Sequence, residues 1–310
     1  MKIFFATDIH GSEICWKKFL NAAAFYKADM VVLGGDVTGK LMVPIIAYHG
    51  YWEVTVRGER MRLENREELL KVEQQLRDRG SYPAIVTREE LDQLSSQDAI
   101  THRFNAEMTR SLDRWLDMAD GKLRGSIPCI LNGGNDDIFE IDPILEASPA
   151  VTFAEGRAID LGGGYTMVSM GYTNPTPWDT HREAPEEELA RRIDAAVAHV
   201  PDMNRTIFNF HAPPYGTGLD EAPELDASMR PTHGGAVMKP VGSTAVRDAI
   251  LHYQPPLSVH GHIHESRGVA KVGKTLTVNP GSSYSDGVLQ AALLDINPKN
   301  GKVKYVLVNG

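Results

Sequence analysis

The chain has 310 residues, 42% of them hydrophobic and 24% charged, with a formal net charge of −9. Its ordinary apolar content, with 28 Gly and 18 Pro spread along it, excludes collagen-like, coiled-coil and wholly disordered chains, and a chain this long needs no disulfide to hold a core. The acidic balance argues against extended nucleic-acid contacts, which want a basic surface.

In chain order, the apolar run Ile3–Ala6 reads as a strand, and Asp8 and His10 follow too early for a signal-peptide core. Ser12 then caps a helix whose Ile14, Trp16, Phe19, Leu20 and Ala23 form an apolar stripe. Cys15 and Cys129 read as buried apolar fillers of a reducing cytosol. Met30–Leu33 is a second strand. The apolar stretch Leu41–Ala47 is broken by Pro44 and falls far short of the ~20 residues a bilayer demands. The expectation is a cytoplasmic protein without a membrane partner.

From about 41 to 125 the composition changes to charge-dense and mostly helical. Residues 52–61 alternate and turn at Gly58, as a hairpin does. Glu64–Arg79 is rich in helix formers, and Thr87 with Glu90 makes a capping box. The stretch reads as a mainly helical insertion capping one α/β domain that runs over residues 1–310. Strands resume at Ile127–Leu131, Tyr165–Met170, Thr206–Phe210, Leu257–Val259 and Thr275–Val278. Helical patterns beginning at Pro185 and Ser243 lie between them. Alternation of this kind predicts a layered α/β domain, and the helix-free end, Arg267–Val308, makes its sheets mixed rather than purely parallel.

The chemistry-bearing residues lie where strand patterns end: Asp8 and His10, Asp36, Asn135 and Asp136, His211, then His262 and His264. In α/β sheets such ends converge on one crevice. Carboxylate, imidazole and amide oxygen together suit Mn, Fe, Zn, Co or Ni rather than Ca. His260 alternates away from His262 and reads as a packed residue behind it.

At these positions the chain resembles the calcineurin-like metallophosphoesterases, through Asp8-x-His10, Gly35-Asp36, Gly134-Asn135-Asp136, the lone His211 and Gly261-His262-Ile263-His264. The resemblance implies a four-layer α/β/β/α sandwich and two divalent transition-metal ions, manganese first among them. Asp8, His10, Asp36 and His264 would hold one ion; Asp36, Asn135, His211 and His262 the other. It further implies hydrolysis of a small phosphoester by a metal-bridging hydroxide. The family's usual histidine is replaced by Asp136, a poor general acid if ionised beside two cations. That replacement favours a phosphodiesterase acting on a small or nucleotide-like diester over a phosphomonoesterase, while competent ligands at all seven positions argue against a non-catalytic scaffold. Asp137 would add to the negative charge. Tyr215, in the proline-stiffened loop after His211, and His233, in a loop able to lean over the crevice, are the candidate substrate contacts, with His181 a further candidate acid. Gly242-Ser243, at a helix start, is a candidate anion site.

Overall fold

Residues Lys2–Ala6 set the layering of the computed structural model, which describes every residue from Met1 to Gly310. Ile3 and Phe5 point to one side, into a buried seam with Val32, Met167, Ile207 and Val259. Phe4 and Ala6 point to the other, against Trp16, Phe19 and Trp115. A strand buried on both faces is what a continuous apolar run encodes.

The first sheet runs Val303–Asn309, Gln290–Ile296, Lys2–Ala6, Met30–Leu33, Cys129–Leu131 and Thr152–Phe153 from edge to edge. Its inner strands are parallel, with Ile3 beside Met30, while Gln290–Ile296 pairs antiparallel, with Ile3 beside Leu294. The second sheet runs Gly268–Val272, Thr275–Asn279, Leu257–Val259, Thr206–Phe210, Tyr165–Met170 and Ala158–Gly162. It too has a parallel centre and antiparallel edges. Its outer face buries Val168, Met170, Phe208 and Phe210 under Leu189, Ile193, Val246 and Ile250 of the helices Glu186–Val197 and Thr244–Tyr253. The architecture is therefore a four-layer α/β/β/α sandwich of two mixed sheets.

Residues 41–125 divide into two parts. Strands Leu41–Tyr48, Tyr51–Val56, Glu59–Leu63 and Ser81–Val86 form a separate four-stranded sheet. The hairpin turns at Arg57 and Gly58, both at positive φ (53° and 82°), as a two-residue turn between twisted strands requires. The helices of the segment, of 13, 6 and 27 residues, still outweigh this sheet. The longest, Gln97–Leu123, packs on the helix Glu13–Tyr26: Trp16 stacks on Trp115 at 5.1 Å between centroids and donates its Nε1–H to the Trp115 carbonyl. It lies in the outer helical layer and carries the crossover between the parallel strands Met30–Leu33 and Cys129–Leu131. No helix is long and apolar enough to cross a membrane, and both cysteines are buried and unpaired.

Candidate metal centre

Five strands end at one place. Asp8 follows Ala6, Asp36 follows Leu33 and Asn135 follows Leu131 in the first sheet; His211 follows Phe210, and His262 and His264 follow Val259 in the second. Asp8, His10, Asp36 and His262 all sit at positive φ (53°, 40°, 51° and 67°). Holding a non-glycine residue there costs roughly 1 kcal/mol or more, and such strain gathers at functional sites. Gly35, at φ 127°, could not be another residue, because a Cβ would stand 2.5 Å from His211 Nδ1.

All seven side chains expected to ligate metal meet here. Asp8 Oδ1 lies 3.8 Å from His10 Nε2 and 3.4 Å from His264 Nε2, and those two nitrogens are 3.1 Å apart. Asp36 Oδ2 stands between the halves, 3.5 Å from His10 Nε2 and 3.3 Å from His211 Nε2. His262 Nδ1 is 2.8 Å from Asn135 Oδ1. Asp8, His10 and His264 form one group able to hold an ion; Asp36, His211 and His262 form another.

These spacings fit cations better than they fit each other. Two nitrogens each about 2.1 Å from one cation would stand about 3.0–3.4 Å apart, a range that includes the His10–His264 separation. His211 Nε2 is buried 3.3 Å from Asp36 Oδ2 without a well-formed hydrogen bond, which a folded protein avoids. His211 Nδ1 faces the Gly34 carbonyl at 3.1 Å, so a proton there leaves Nε2 free to ligate.

The protein's own charges show the same need. Burial is the largest single effect and raises the Asp8 and Asp36 carboxyls, but His211, joined by His264 at Asp8 and by His10 and Lys40 at Asp36, holds both below their ordinary range. Burial opposes charge on His211, yet Asp36 and Asp8 lift its pKa to about 10. Burial, and then the His211 charge, pushes His262 down to about 4. His211, with His264 also raised by Asp8, thus stands in for positive charge that the site otherwise lacks.

Supporting contacts fix the donors. Thr7 Oγ1 donates to Asp8 Oδ2 at 2.7 Å, and the His262 amide donates to both Asp8 oxygens at 3.1 and 3.0 Å. Buried Asn279 donates to the Ile263 carbonyl at 3.0 Å, and Ser282 Oγ to the Asp8 carbonyl at 2.6 Å, so the turn at 279–282 braces the site. His260 is buried, with Nδ1 on the Phe210 and Ala212 carbonyls and Nε2 on Ser258 Oγ. Two neighbours had escaped the sequence reading. Thr180 Oγ1 accepts the Asn135 amide at 2.9 Å and donates to Glu183 at 2.6 Å, which turns Asn135 Oδ1 toward His262. The Lys40 ammonium pairs with Asp136.

Several expectations change. On the protein's own charges Asp136 is not depressed: burial and then the Asp36 carboxylate push it up to about 7, against the pull of Lys40. Asp137 adds no charge to the crevice. It is fully buried and accepts from the amides of Val37, Thr38 and Gly134 and from Thr38 Oγ1, clamping the Asp36 loop to the Asn135 loop. The helix start at Ser243 offers no anion site, because Glu186 already takes the Ser243 hydroxyl and the amides of Thr244 and Ala245. Tyr215 is 37% exposed with its ring near the Arg247 guanidinium, and His233 and His181 are exposed in loops; none of the three pairs with a residue of the cluster.

The fold and site together define a four-layer α/β protein with a buried Asp/His cluster able to hold metal. No protein-family model matches the chain. It is 33% identical over 116 residues to the uncharacterized protein MJ1162 of Methanocaldococcus jannaschii, a match covering 37% of this chain and 47% of that one. The chain thus spans about half the length of this curated relative. It superposes on one solved crystal structure with a TM-score of 0.60 at 16% identity, over 98% of both chains. A second, TT1561 of Thermus thermophilus, gives 0.52 at 14% identity, over 98% of this chain and 97% of that one. These likenesses concern the fold.

Proposed function

We propose that this chain is a metal-dependent phosphoesterase holding two divalent transition-metal ions, manganese first among the candidates, and acting on a small phosphodiester. The observation that carries this reading is the approach of seven N/O donors from five strand ends, with Asp36 Oδ2 between the two halves. Asp8, His10, Asp36 and His264 would hold one ion; Asp36, Asn135, His211 and His262 the other. The two buried, unpaired cysteines support a cytoplasmic, reducing compartment.

When bound, such cations supply the Lewis acidity that generates a nucleophile from water at neutral pH and offsets charge developing on phosphorus. The protein supplies position and exclusion of water. Asp8 is held by Thr7 and the His262 amide, and Asp36 Oδ1 by the Asp136 amide at 3.0 Å, so neither carboxylate can turn away. His260, lowered to about 4 by burial, stays neutral behind the ligands.

Charge favours the diester. Two carboxylates cancel half the charge of two divalent cations, and the Lys40–Asp136 pair adds none. A hydroxide nucleophile and a monoanionic diester then bring the site to neutrality, whereas a dianionic monoester overshoots. With two cations as well as Lys40 beside it, Asp136 would be ionised and no proton donor, so esters with good leaving groups should turn over best. The second reading, a phosphomonoesterase, rests on the same metal set.

The test is metal analysis of the purified protein, followed by hydrolysis of bis(p-nitrophenyl) phosphate and p-nitrophenyl phosphate with added manganese. Metal-stimulated turnover with the diester ahead supports the proposal, and Asp136→His should shift preference toward the monoester. Absence of metal and of turnover on either ester points to a non-catalytic scaffold and ends it.

A further inference from the structure

We propose that Lys40 grips the substrate: its ammonium, tethered by Asp136, takes a non-bridging oxygen of the phosphoryl group. The inference rests on the phosphoesterase reading and names a residue that reading does not require. Lys40 is the one lysine or arginine that pairs with a carboxylate of the cluster. Its side chain is 47% exposed, whereas those of Asp136, Asp36 and Asp8 are 16%, 2% and 1% exposed. The ammonium is therefore the most exposed charged group beside the buried donors.

Its backbone is set from both sides. Val37 and Thr38 are clamped by Asp137, the Gly39 amide donates to Tyr82 Oη at 2.7 Å, and the strand Leu41–Tyr48 begins at the next residue. The stem alone is free to move. An ammonium carries three donors and grips phosphate as a compact charge; only the contact to Asp136 is made here. Stability alone explains the pair poorly, since an ion pair with a partly exposed lysine adds little, while Asp136 Oδ2 lies 3.9 Å from His10 Nδ1 in a site already rich in carboxylates. Asp136 tethers the ammonium beside the cluster and leaves its other N–H donors for an incoming anion.

The experiment compares full-length wild type with Lys40→Ala, Lys40→Arg and Asp136→Ala, each loaded with manganese and its metal content measured. Inorganic phosphate binding is followed by calorimetry, and kcat and KM by hydrolysis of bis(p-nitrophenyl) phosphate. Lys40→Ala should weaken phosphate binding about 10- to 100-fold, the worth of one charge-assisted hydrogen bond, lower kcat/KM comparably and keep its manganese. Lys40→Arg should recover most of the loss, and Asp136→Ala should bind phosphate at least as well as wild type. A Lys40→Ala protein that matches wild type in phosphate binding overturns the inference, as does one that loses manganese, since Lys40 would then act through the metal site. A wild type that holds no metal and cleaves no ester defeats the phosphoesterase reading and Lys40 with it; an active wild type matched by Lys40→Ala defeats Lys40 alone.

Discussion

Asp36 Oδ2 lies 3.3 Å from His211 Nε2, one residue from each sheet, and the two form a buried ion pair. A ligating imidazole must be neutral, so cation binding has to expel the His211 proton. With that pKa at about 10, apparent metal affinity should rise about tenfold per pH unit through the neutral range and level off near pH 10. Calorimetric titration of manganese in buffers of different ionisation enthalpy should show close to one proton, or more, released per chain at pH 7.5. No release would mean that His211 is not a ligand.

The same pair sets the pH profile of the metal-free protein. His211 is raised above its ordinary 6.5 to about 10, so its stabilising share is full below about pH 6.5 and is lost as pH rises through about 10. Asp36 is lowered, and its share, present above its ordinary 3.8, is lost only on acidification. Chelator-treated protein should therefore melt at falling temperature from pH 6.5 to 10, while manganese-loaded protein, with the cation in the proton's place, should not follow. Parallel melting curves would contradict this.

Asp36 Oδ2 faces His10 at 3.5 Å as well as His211, whereas His264 lies only on the Asp8 side. Asp36→Asn should accordingly weaken both ions and lower diester hydrolysis at least ~100-fold, since a catalytic ion contributes several kcal/mol. His264→Ala should leave one ion per chain. Equal metal content in the two variants, measured by elemental analysis, would contradict a role for Asp36 in holding both ions.

The Thr180 hydroxyl accepts from the Asn135 amide and is itself held by Glu183. Without it the amide can flip, presenting its NH2 where an oxygen donor is needed. Thr180→Val should weaken metal binding about 10- to 100-fold, the usual cost of losing a ligand's support, and Thr180→Ser should restore it. Manganese affinity by competition with a chelating dye reads the difference; affinity unchanged in the valine variant would make Thr180 a loop residue only.

The donors were legible because each sits one to five residues beyond a strand that sequence alone marks, and strand ends are where an α/β sheet delivers side chains to a crevice. Their partners were not. Lys40 meets Asp136 across 96 positions, and Thr180 meets Asn135 across 45; lysine and threonine elsewhere in a loop carry no mark of such a meeting. Asp137 looked like a second charge on the crevice, since adjacency hides that its side chain turns inward to four donors. The strand Leu41–Tyr48 was masked by Pro44, which nevertheless sits in parallel register with Ala84.

The helix Gln97–Leu123 falls in the stretch that reads as mainly helical, but the Thr87/Glu90 capping box opens the short helix Arg88–Gln93 before it, and the long helix's place in the fold was not legible. Composition made Gln97–Leu123 part of a cap, because its charged faces read as solvated. Its Met108, Leu112, Trp115 and Ala119, spaced three or four apart, instead join the core of the first sheet. Trp115 lies parallel to Trp16, 7° between planes, and is 3% exposed. Trp115→Ala should therefore cost about 3–5 kcal/mol, the range for emptying a core aromatic site, and lower the melting temperature by roughly 10 °C. Phe25→Ala, at a side chain 79% exposed on the neighbouring helix, should change stability by about 0.5 kcal/mol or less. Denaturant unfolding of both variants decides the matter, for a helix that merely covered the crevice would tolerate the tryptophan's loss as readily as the phenylalanine's.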